Sequence, residues 1–487
     1  MARDNDRPDV LMICVDHWPG SFFGACGRKD IETPTLDYLG RNGLMFNSMY
    51  SECPVCIPAR RSLMTGLSPR SHGDRVYSEL MRMPERKTLA QCFRDNGYQA
   101  VAVGKLHVFP QRNRIGFDDV ILAEEGRYEF DAVDDYQIWL GEHGQLGKEF
   151  SHGIGSNTYY TTTWNLPEEA HPTSWVTREM TKQIRRRDPE KNHFFYASFQ
   201  APHPPIVPLE RMLRRYDNTE LEPLIQDNWE VDDTIRLLRN TAERYSEKEI
   251  DMARRAFHAQ CTHIDQSVRS LLGAMKEEGL LKNTLIIFMS DHGDMLFDHG
   301  MVAKRLFYEN SSRIPFILSG YPIQEYRGKG IEDKLCSVQD IMPTILDICG
   351  IEKPEGMDGI SMVSDKRRPY IFGEIGKDQK ATRMIRNEHY KLIWYPYGNK
   401  LQLFDMDSDR KEVNDLSKDP RYSKVLEEMV GLLLENLHDD DEWLEEGCLK
   451  GYNPDKAPLK PDFSFGNQRA AYHWPYPKKR KDVDFQG

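Results

Sequence analysis

Two continuous apolar runs, each ending in an acidic residue, place the strongest constraint on how this chain can fold. One run covers 10–15 and ends at Asp16, and the other covers 284–290 and ends at Asp291. Uninterrupted runs of this kind are typical of parallel strands that are buried on both faces of a sheet. Ligand sites in open α/β sheets lie just beyond the carboxyl ends of such strands. The two acidic strand ends therefore predict one shared metal site.

Further strand and helix patterns alternate along the chain. Apolar runs at 100–103 and 193–199 predict two more strands, and helical patterns predict helices over 88–96, 174–187 and 247–278. Strands that alternate with helices are typical of an α/β fold, in which helices cover both faces of a doubly wound sheet.

The pattern changes after Pro369, where short strand signals follow one another closely. They predict a small antiparallel sheet, and the pattern over 424–437 predicts a helix that follows it. We expect a large domain over 1–368, a small α+β subdomain over 369–450 and a tail over 451–487 that wraps over the body. The four strand signals lie at 370–374, 382–385, 390–394 and 400–404.

The overall composition is that of a soluble globular protein. Of the 487 residues, 39% are hydrophobic and 29% are charged, which is ordinary for such proteins. The formal net charge of −12 argues against a nucleic-acid or membrane-surface partner, because such a protein would carry a basic face. Any site for an anionic substrate must therefore be a local cluster of basic side chains.

Cysteine usage and the N-terminal segment bear on the compartment. Nine cysteines are too few for a disulfide scaffold in a chain of this length, and the odd number leaves at least one unpaired. Residues 1–8 lack the apolar segment of an export signal, and the run at 10–15 is far shorter than the ~20 residues that span a bilayer. We therefore expect a cytoplasmic protein without a membrane anchor.

Cys53 and Cys56 stand in a C-x-x-C spacing. On the residues alone, this spacing suggests a thioredoxin-like redox pair or half of a zinc site. The chain contains no second C-x-x-C and no His-x-x-x-His pair, so neither interpretation gains support. A structural turn without chemistry remains an alternative.

The segment that starts at Cys56 resembles the modification site of the type I sulfatases. Cys56, Pro58 and Arg60 match the family's C-x-P-x-R, and Thr65 and Gly66 match the T-G that follows it. The resemblance implies that a maturation enzyme oxidises Cys56 to a formylglycine aldehyde. One hydroxyl of the hydrated aldehyde would attack a sulfate ester, and the other would collapse the intermediate and expel sulfate.

Other segments resemble the motifs of this family in the same order, through about Leu416. The resemblance implies an alkaline-phosphatase-like fold with a mixed, doubly wound sheet between helices, and it makes 1–368 the catalytic domain. The matching segments are 33–37 (T-P-N-L-D in the family), 104–107 (G-K-x-H), 201–204 (A-P-H), 290–293 (S-D-H-G) with Lys304, 340–344, and 383–386 with 390–391.

Asp16, Asp291 and His292, together with a hydroxyl of modified Cys56, form the divalent metal site that the resemblance implies. Hard oxygen ligands suit such an ion, and we expect Ca²⁺, with Mg²⁺ or Mn²⁺ as alternatives. His17 departs from the family, because many sulfatases have a second acid there and others have glutamine. His17 is therefore a further candidate ligand, with substrate contact and simple packing as alternatives. The alternative for the acid and histidine at 291–292 is a helix cap.

The basic side chains of these motifs suit the transfer of a sulfate group. By resemblance, Lys105 and Lys304 hold the sulfonate oxygens and Arg60 steadies the modified residue, since fixed donors stabilise charge that develops in the transition state. By the same resemblance, His203 is the acid toward the leaving oxygen, and His107 is the base that breaks the hemiacetal sulfate. Imidazole suits both tasks near neutral pH.

The segment between His107 and His203 contains candidate substrate contacts. Asn157, Tyr159 and Trp164 can stack on and hydrogen-bond to a sugar, which favours a sulfated carbohydrate over a simple aryl sulfate. An ordinary surface excursion is the alternative. The expected partners are a sulfated small molecule or oligosaccharide and the formylglycine-generating maturation enzyme.

Two rival functions remain open at this point. A phosphonate monoester or phosphodiester hydrolase of the same superfamily could use the same modified cysteine, although Lys105 and His107 favour sulfate. A catalytically silent anion-binding protein of the same fold is the second rival, and the presence of every expected polar residue counts against it.

Overall fold

The computed structural model describes residues 7–126, 132–229, 242–326, 330–437, 444–445 and 447–453. Its largest sheet has eight strands in the order β5-β4-β6-β1-β7-β8-β2-β9. The strands of this sheet are β1 (Asp9–Val15), β2 (Leu44–Phe46), β4 (Gln99–Gly104), β5 (Asp119–Leu122), β6 (His193–Ser198), β7 (Thr284–Ser290), β8 (Phe316–Ser319) and β9 (Gly330–Glu332).

Strand directions confirm the mixed, doubly wound sheet. β1 pairs in parallel with both β6 and β7, and β4 pairs in parallel with β5 and β6. β8 is antiparallel to its neighbours β7 and β2, and β2 is parallel to β9. Sequence patterns indicated β1, β4, β6 and β7 but missed the four shorter strands of this sheet.

Helices cover both faces of the sheet, as predicted. Alternate residues of a strand point to opposite faces, so Leu11 and Ile13 lie in one buried cluster while Val10 and Met12 lie in another. The α-helices are α1 (Pro34–Asn42), α2 (Cys56–Thr65), α3 (Pro69–His72), α4 (Leu89–Asp95), α5 (Asp135–Glu142), α6 (Pro172–Arg185), α7 (Glu210–Leu213), α8 (Glu247–Glu277), α9 (Glu309–Ser312), α10 (Tyr321–Tyr326), α11 (Ile341–Ile348) and α12 (Ser423–Asn436).

The register between β1 and β7 explains how the two acidic residues meet. Val15 pairs with Ser290 at the last position of both strands. Asp16 and Asp291 therefore leave the sheet side by side, at the carboxyl edge where α/β ligand sites form.

The small C-terminal sheet is also confirmed, with a helix after it. Its four strands are antiparallel neighbours in chain order. Met429 and Leu433 of α12 pack with Ile385, Leu392 and Leu403 of the sheet in one buried cluster. The strands are β11 (Tyr370–Ile375), β12 (Thr382–Asn387), β13 (Tyr390–Tyr395) and β14 (Lys400–Asp405), and short pairs are formed by β3 (Met49–Tyr50) with β10 (Cys336–Ser337) and by β15 (Leu444–Glu445) with β16 (Cys448–Leu449).

Three observations complete the description of the chain. The predicted domain limits at 368 and 450 stay predictions, and most of the predicted tail, 454–487, lies outside the described residues. All nine cysteines lie in the described part and carry free thiols. Among the described helices, none combines the length and the apolar character needed to cross a membrane.

Candidate active site

Cys56 is the first residue of α2 and lies beyond the carboxyl edge of the large sheet. Its side chain is buried, with 1% of its surface exposed. The Cys56 Sγ atom stands where a hydroxyl oxygen of the hydrated aldehyde would be in the modified residue. Burial and the Asp16 carboxylate oppose ionisation of the thiol, but Lys304 and Lys105 outweigh them and lower the pKa of Cys56.

Four of the predicted metal ligands converge on one point. Asp16, Cys56, Asp291 and His292 offer ligand atoms that all lie within 4.8 Å of one another. Cys56 Sγ is 3.2 Å from His292 Nε2 and 3.7 Å from Asp16 Oδ1. His292 Nδ1 is hydrogen-bonded to Gly293 O at 2.9 Å, which aims Nε2 at the cluster. Buried carboxylates and an imidazole so arranged fit a divalent cation.

Arg60 connects α2 to the ends of three strands. Its Nε donates to Asp291 Oδ2 at 2.8 Å, and its Nη1 donates to Ser198 Oγ and to the backbone oxygen of Lys105, each at 2.9 Å. The guanidinium is almost fully buried. Although burial disfavours its charge, Asp291 raises the pKa of Arg60, so this side chain stays charged and fixes one ligand of the cluster.

Lys105 follows β4 and is buried between two carboxylates. Its Nζ donates to Asp16 Oδ2 and to Glu125 Oε1, each at 2.5 Å. Burial lowers the pKa of Lys105, but Asp16 and Glu125 more than reverse that effect. Gly104 permits the turn, because its φ is +104° and a Cβ there would lie 1.8 Å from Ser198 O. The lysine therefore holds Asp16 in place, and the predicted sulfonate contact stays a prediction.

Lys304 also reaches Cys56. Its Nζ donates to Cys56 Sγ at 3.2 Å, to His203 Nε2 at 2.9 Å and to His17 Nε2 at 2.6 Å. Three groups that the sequence analysis singled out thus surround one ammonium. This convergence places a cation beside the candidate nucleophile.

His203 has both ring nitrogens in hydrogen bonds. Its Nδ1 is bonded to the backbone oxygen of Pro204, and its Nε2 accepts from Lys304. Burial and the Lys304 charge lower the pKa of His203 well below its usual range. An anionic ester bound beside the ring would act in the opposite direction and favour the protonated form.

His107 is buried on the loop that follows Lys105. Its backbone N–H donates to Glu124 Oε1 at 2.9 Å, and its ring lies edge-on to Tyr77 with 6.0 Å between centroids. A backbone φ of +61° holds it in the left-handed region, which is uncommon for a residue other than glycine. Its predicted role as the base stays a prediction.

The three candidate substrate contacts lie in different environments. Tyr159 is buried, and its hydroxyl donates to Asp294 Oδ2. Asn157 is exposed, whereas Trp164 is half-buried and lines a cleft. His203 and Glu125 line the same cleft, and they are hydrogen-bonded to Lys304 and Lys105 of the site.

Sequence reasoning missed two residues that organise the site. Asp294 accepts from Tyr159 and lies 2.5 Å from His17 Nδ1, and Glu125 pairs with Lys105. Asp294 lies three residues after Asp291, so its position in the same motif was an available signal. Glu125 carries no motif, and only the folded chain brings it to the lysine.

The sequence profile of the Sulfatase family matches residues 8–351 of this chain. The chain belongs to the sulfatase family. A second profile, described as N-sulphoglucosamine sulphohydrolase, C-terminal, matches residues 297–439. This assigns the enzyme to the sulfuric ester hydrolases, for which formylglycine and a divalent metal are typical.

Alignments of this sulfatase with individual relatives extend over most of both sequences. It is 32% identical over 472 residues to an arylsulfatase of Clostridium perfringens, covering 92% of this chain and 98% of the relative. It is 26% identical to a Delta 4,5-hexuronate-2-O-sulfatase of Bacteroides thetaiotaomicron over 464 residues, with 89% of each chain covered. The crystal structure of a phosphonate monoester hydrolase of Agrobacterium radiobacter shares the fold, with a TM-score of 0.76, 21% identity and coverage of 88% and 95%.

Proposed function

We propose that this sulfatase hydrolyses the sulfate monoester of a small carbohydrate or aryl alcohol, with a nucleophile made from Cys56. The observation that carries the proposal is the convergence on Cys56 Sγ of Lys304 Nζ and His292 Nε2, each at 3.2 Å. A maturation enzyme is required to oxidise the thiol to the aldehyde, which water then hydrates.

The reaction needs two transfers in which each proton has an acceptor. In the first, one hydroxyl of hydrated residue 56 gives its proton to Asp16 Oδ1, which lies 3.7 Å from Cys56 Sγ, and its oxygen attacks sulfur. The bond between sulfur and the ester oxygen breaks, and His203 protonates the departing alcohol. In the second, His107 takes the proton of the remaining hydroxyl, the carbonyl re-forms, and sulfate departs from residue 56. Water then restores the hydrate, so the nucleophile is regenerated.

Asp16, Asp291 and His292 would hold the divalent ion, for which we propose Ca²⁺ on the chemistry of the carboxylate donors. When bound, such an ion withdraws charge from a sulfonate oxygen and eases deprotonation of the hydroxyl of residue 56. Lys304 would add its charge beside residue 56, where a fixed cation stabilises charge that develops on the sulfonate oxygens.

The cleft beside His203 is the proposed site for the alcohol part of the substrate. Trp164, Phe150, His152 and His171 line it together with Pro205. Flat apolar surfaces with a few polar groups are typical of sites that bind a ring. The two curated relatives named above, one an arylsulfatase and one a hexuronate sulfatase, support both kinds of ring. The expected cytoplasmic location stays a prediction.

A paired assay tests this function. Enzyme produced together with a maturation enzyme is compared on an aryl sulfate, a sulfated monosaccharide, an aryl phosphate, a phosphodiester and a phosphonate monoester. We expect sulfate turnover to exceed the others and the Cys56 peptide to carry the aldehyde mass. Cys56→Ala should abolish turnover, whereas Cys53→Ala should retain most of it, since Cys53 packs in the neighbouring apolar cluster. Faster turnover of the phosphonate, or full activity with an unmodified Cys56 peptide, would contradict the proposal.

A further inference from the structure

His17 follows Asp16 at the end of β1, and its ring lies beside the metal cluster, with Nε2 3.8 Å from Asp16 Oδ1. Two overlapping groups of four could each hold an ion: Asp16, Cys56, Asp291 and His292, or Asp16, His17, Cys56 and His203. The ring of His17 lies between the imidazoles of His203 and His292, with centroid distances of 4.2 Å and 4.6 Å. Its role therefore depends on the partners of its two ring nitrogens.

The two ring nitrogens of His17 have different partners, one a carboxylate and the other an ammonium. Nδ1 lies 2.5 Å from Asp294 Oδ2, and Nε2 lies 2.6 Å from Lys304 Nζ. A carboxylate accepts only and an ammonium donates only. The neutral tautomer that satisfies both carries its hydrogen on Nδ1 and offers a lone pair on Nε2 to the lysine.

Asp294 is itself held from several directions. Its Oδ1 accepts the backbone N–H of Leu296 at 2.8 Å and of Ala303 at 3.2 Å, while its Oδ2 accepts the hydroxyl of Tyr159. Asp294, Tyr159 and His17 are each at most 1% exposed. Buried groups with every partner satisfied keep a single orientation.

We propose that Tyr159, Asp294 and His17 form a positioning chain that holds Lys304 beside Cys56, and that His17 serves this lysine rather than the metal ion. An ammonium has three hydrogens. His17 engages one of them, which leaves the others for Cys56 Sγ at 3.2 Å and His203 Nε2 at 2.9 Å. The inference rests on the proposed function, because it assigns the lysine to the reacting sulfate group.

A double-mutant cycle with His17→Ala and Lys304→Ala tests the coupling. Loss of positioning should lower kcat on the order of 10²-fold in His17→Ala, while metal analysis still finds one ion per chain. In the Lys304→Ala background, the same change should alter kcat less than about 3-fold, because residues in one network are not additive. Additive losses, or loss of the ion in His17→Ala, would overturn the inference.

Two conservative substitutions test the other members of the positioning chain, Asp294 and Tyr159. Asp294→Asn can present an N–H to His17 Nδ1 and so impose the wrong tautomer, and we expect it to lower kcat nearly as far as His17→Ala. Tyr159→Phe should lower kcat by only a few-fold. Tyr245→Phe is the matched control, because Tyr245 packs against Tyr159 with 6.3 Å between centroids and its hydroxyl accepts from Tyr159 N. Equal losses in the two phenylalanine variants would indicate a merely structural role and contradict the proposal.

Calorimetry with inorganic sulfate separates this inference from the proposed function. If the unaltered enzyme turns over no sulfate ester, the proposed function fails, whereas sulfate binding still measures the position of Lys304. We expect His17→Ala and Asp294→Asn to weaken sulfate about 10-fold with metal retained. Unchanged sulfate affinity in both variants would overturn the positioning chain.

Discussion

At the scale of single residues, the two lysines of the site differ in how far their charge is compensated. Lys105 is buried between Asp16 and Glu125, both ionic partners. Lys304 is only half-buried, and it donates to two imidazoles and to Cys56 Sγ. A bound anion therefore gains more from Lys304, because opposite charges near a lysine already offset its field.

The role of His203 can be tested by changing the leaving group. An alcohol of low acidity needs a proton as it departs, whereas an activated phenol does not. His203→Ala should therefore slow a sugar sulfate by about 10² to 10⁴-fold and an activated aryl sulfate far less. The ratio of kcat/KM between the two substrates is the measurement, and the aryl sulfate serves as the internal control. Equal losses on both substrates would show that His203 is not the acid.

At the scale of elements, the site depends on strands that end at the same level. Val15 pairs with Ser290, and Gly104 pairs with Ser198, so four strand ends deliver their next residues to one edge. Arg60 then connects the helix that carries the nucleophile to three of these ends, through Ser198, Asp291 and the backbone oxygen of Lys105. Movement of α2 relative to the sheet would break these hydrogen bonds.

Removing one carboxylate from the paired strand ends tests the metal assignment. In Asp291→Asn, Arg60 loses its ionic partner at 2.8 Å and the ion loses a charged ligand. We expect loss of the bound ion on metal analysis and a rate lower by several powers of ten, in line with the several kcal/mol that a Lewis-acid metal contributes. Asp265→Asn is the control, since Asp265 is a buried carboxylate that accepts from Leu36 N at 2.8 Å outside the cluster. Full activity with chelator-treated, metal-free enzyme would refute the assignment.

Local sequence predicted the elements whose own residues specify them. β1 and β7 carry long apolar runs, and α8 has a capping box formed by Ser246 and Glu249, so each could be predicted without its neighbours. β2, β8 and β9 are edge-side strands of three or four residues. Too few residues carry their pattern, and tertiary pairing decides whether they form.

The residues of the site also fall into two groups, those that local sequence predicts and those that only the folded chain brings together. Asp16 and Asp291 could be predicted because each directly follows a strand, and the strands bring them together. The direction in which His17 points could not be predicted, because Asp294 and Lys304 reach it from a different part of the chain. Glu125 likewise meets Lys105 only after β4 and β5 have paired.

At the scale of the whole molecule, a buried lysine joins the small sheet to the catalytic region. Lys391 of β13 donates to Glu309 Oε1 at 2.7 Å, to Glu412 Oε1 at 2.8 Å and to Phe307 O at 3.0 Å. Tyr50 also donates to Glu309 Oε1, at 2.8 Å. The two regions are therefore connected by a hydrogen-bonded charge cluster as well as by apolar packing.

Lys391→Met should destabilise the fold by about 3–5 kcal/mol, the usual cost of leaving a buried charge without its partner. Burial already raises the pKa of Glu412 despite Lys391, and without the lysine this pKa rises further. A carboxyl group whose pKa is raised in the folded state makes folding less favourable as the pH increases. The loss of unfolding free energy in Lys391→Met should therefore be larger at about pH 8 than at about pH 5. Urea unfolding at both pH values measures it, with exposed Lys418→Met as the control. An equal loss of unfolding free energy at both pH values would argue against the unpaired carboxylates as its cause.

The burial of α2 also bears on when the proposed oxidation of Cys56 can take place. Cys56 is 1% exposed and Arg60 3% exposed, and every residue of α2 is buried. A maturation enzyme that reads these side chains needs them accessible, so we expect oxidation to precede the closing of the chain around them. Folding and oxidation then compete for the same nascent chains. A molecule that folds before oxidation keeps Cys56 as a buried thiol. The fraction of active enzyme in a preparation then depends on the relative rates of folding and oxidation.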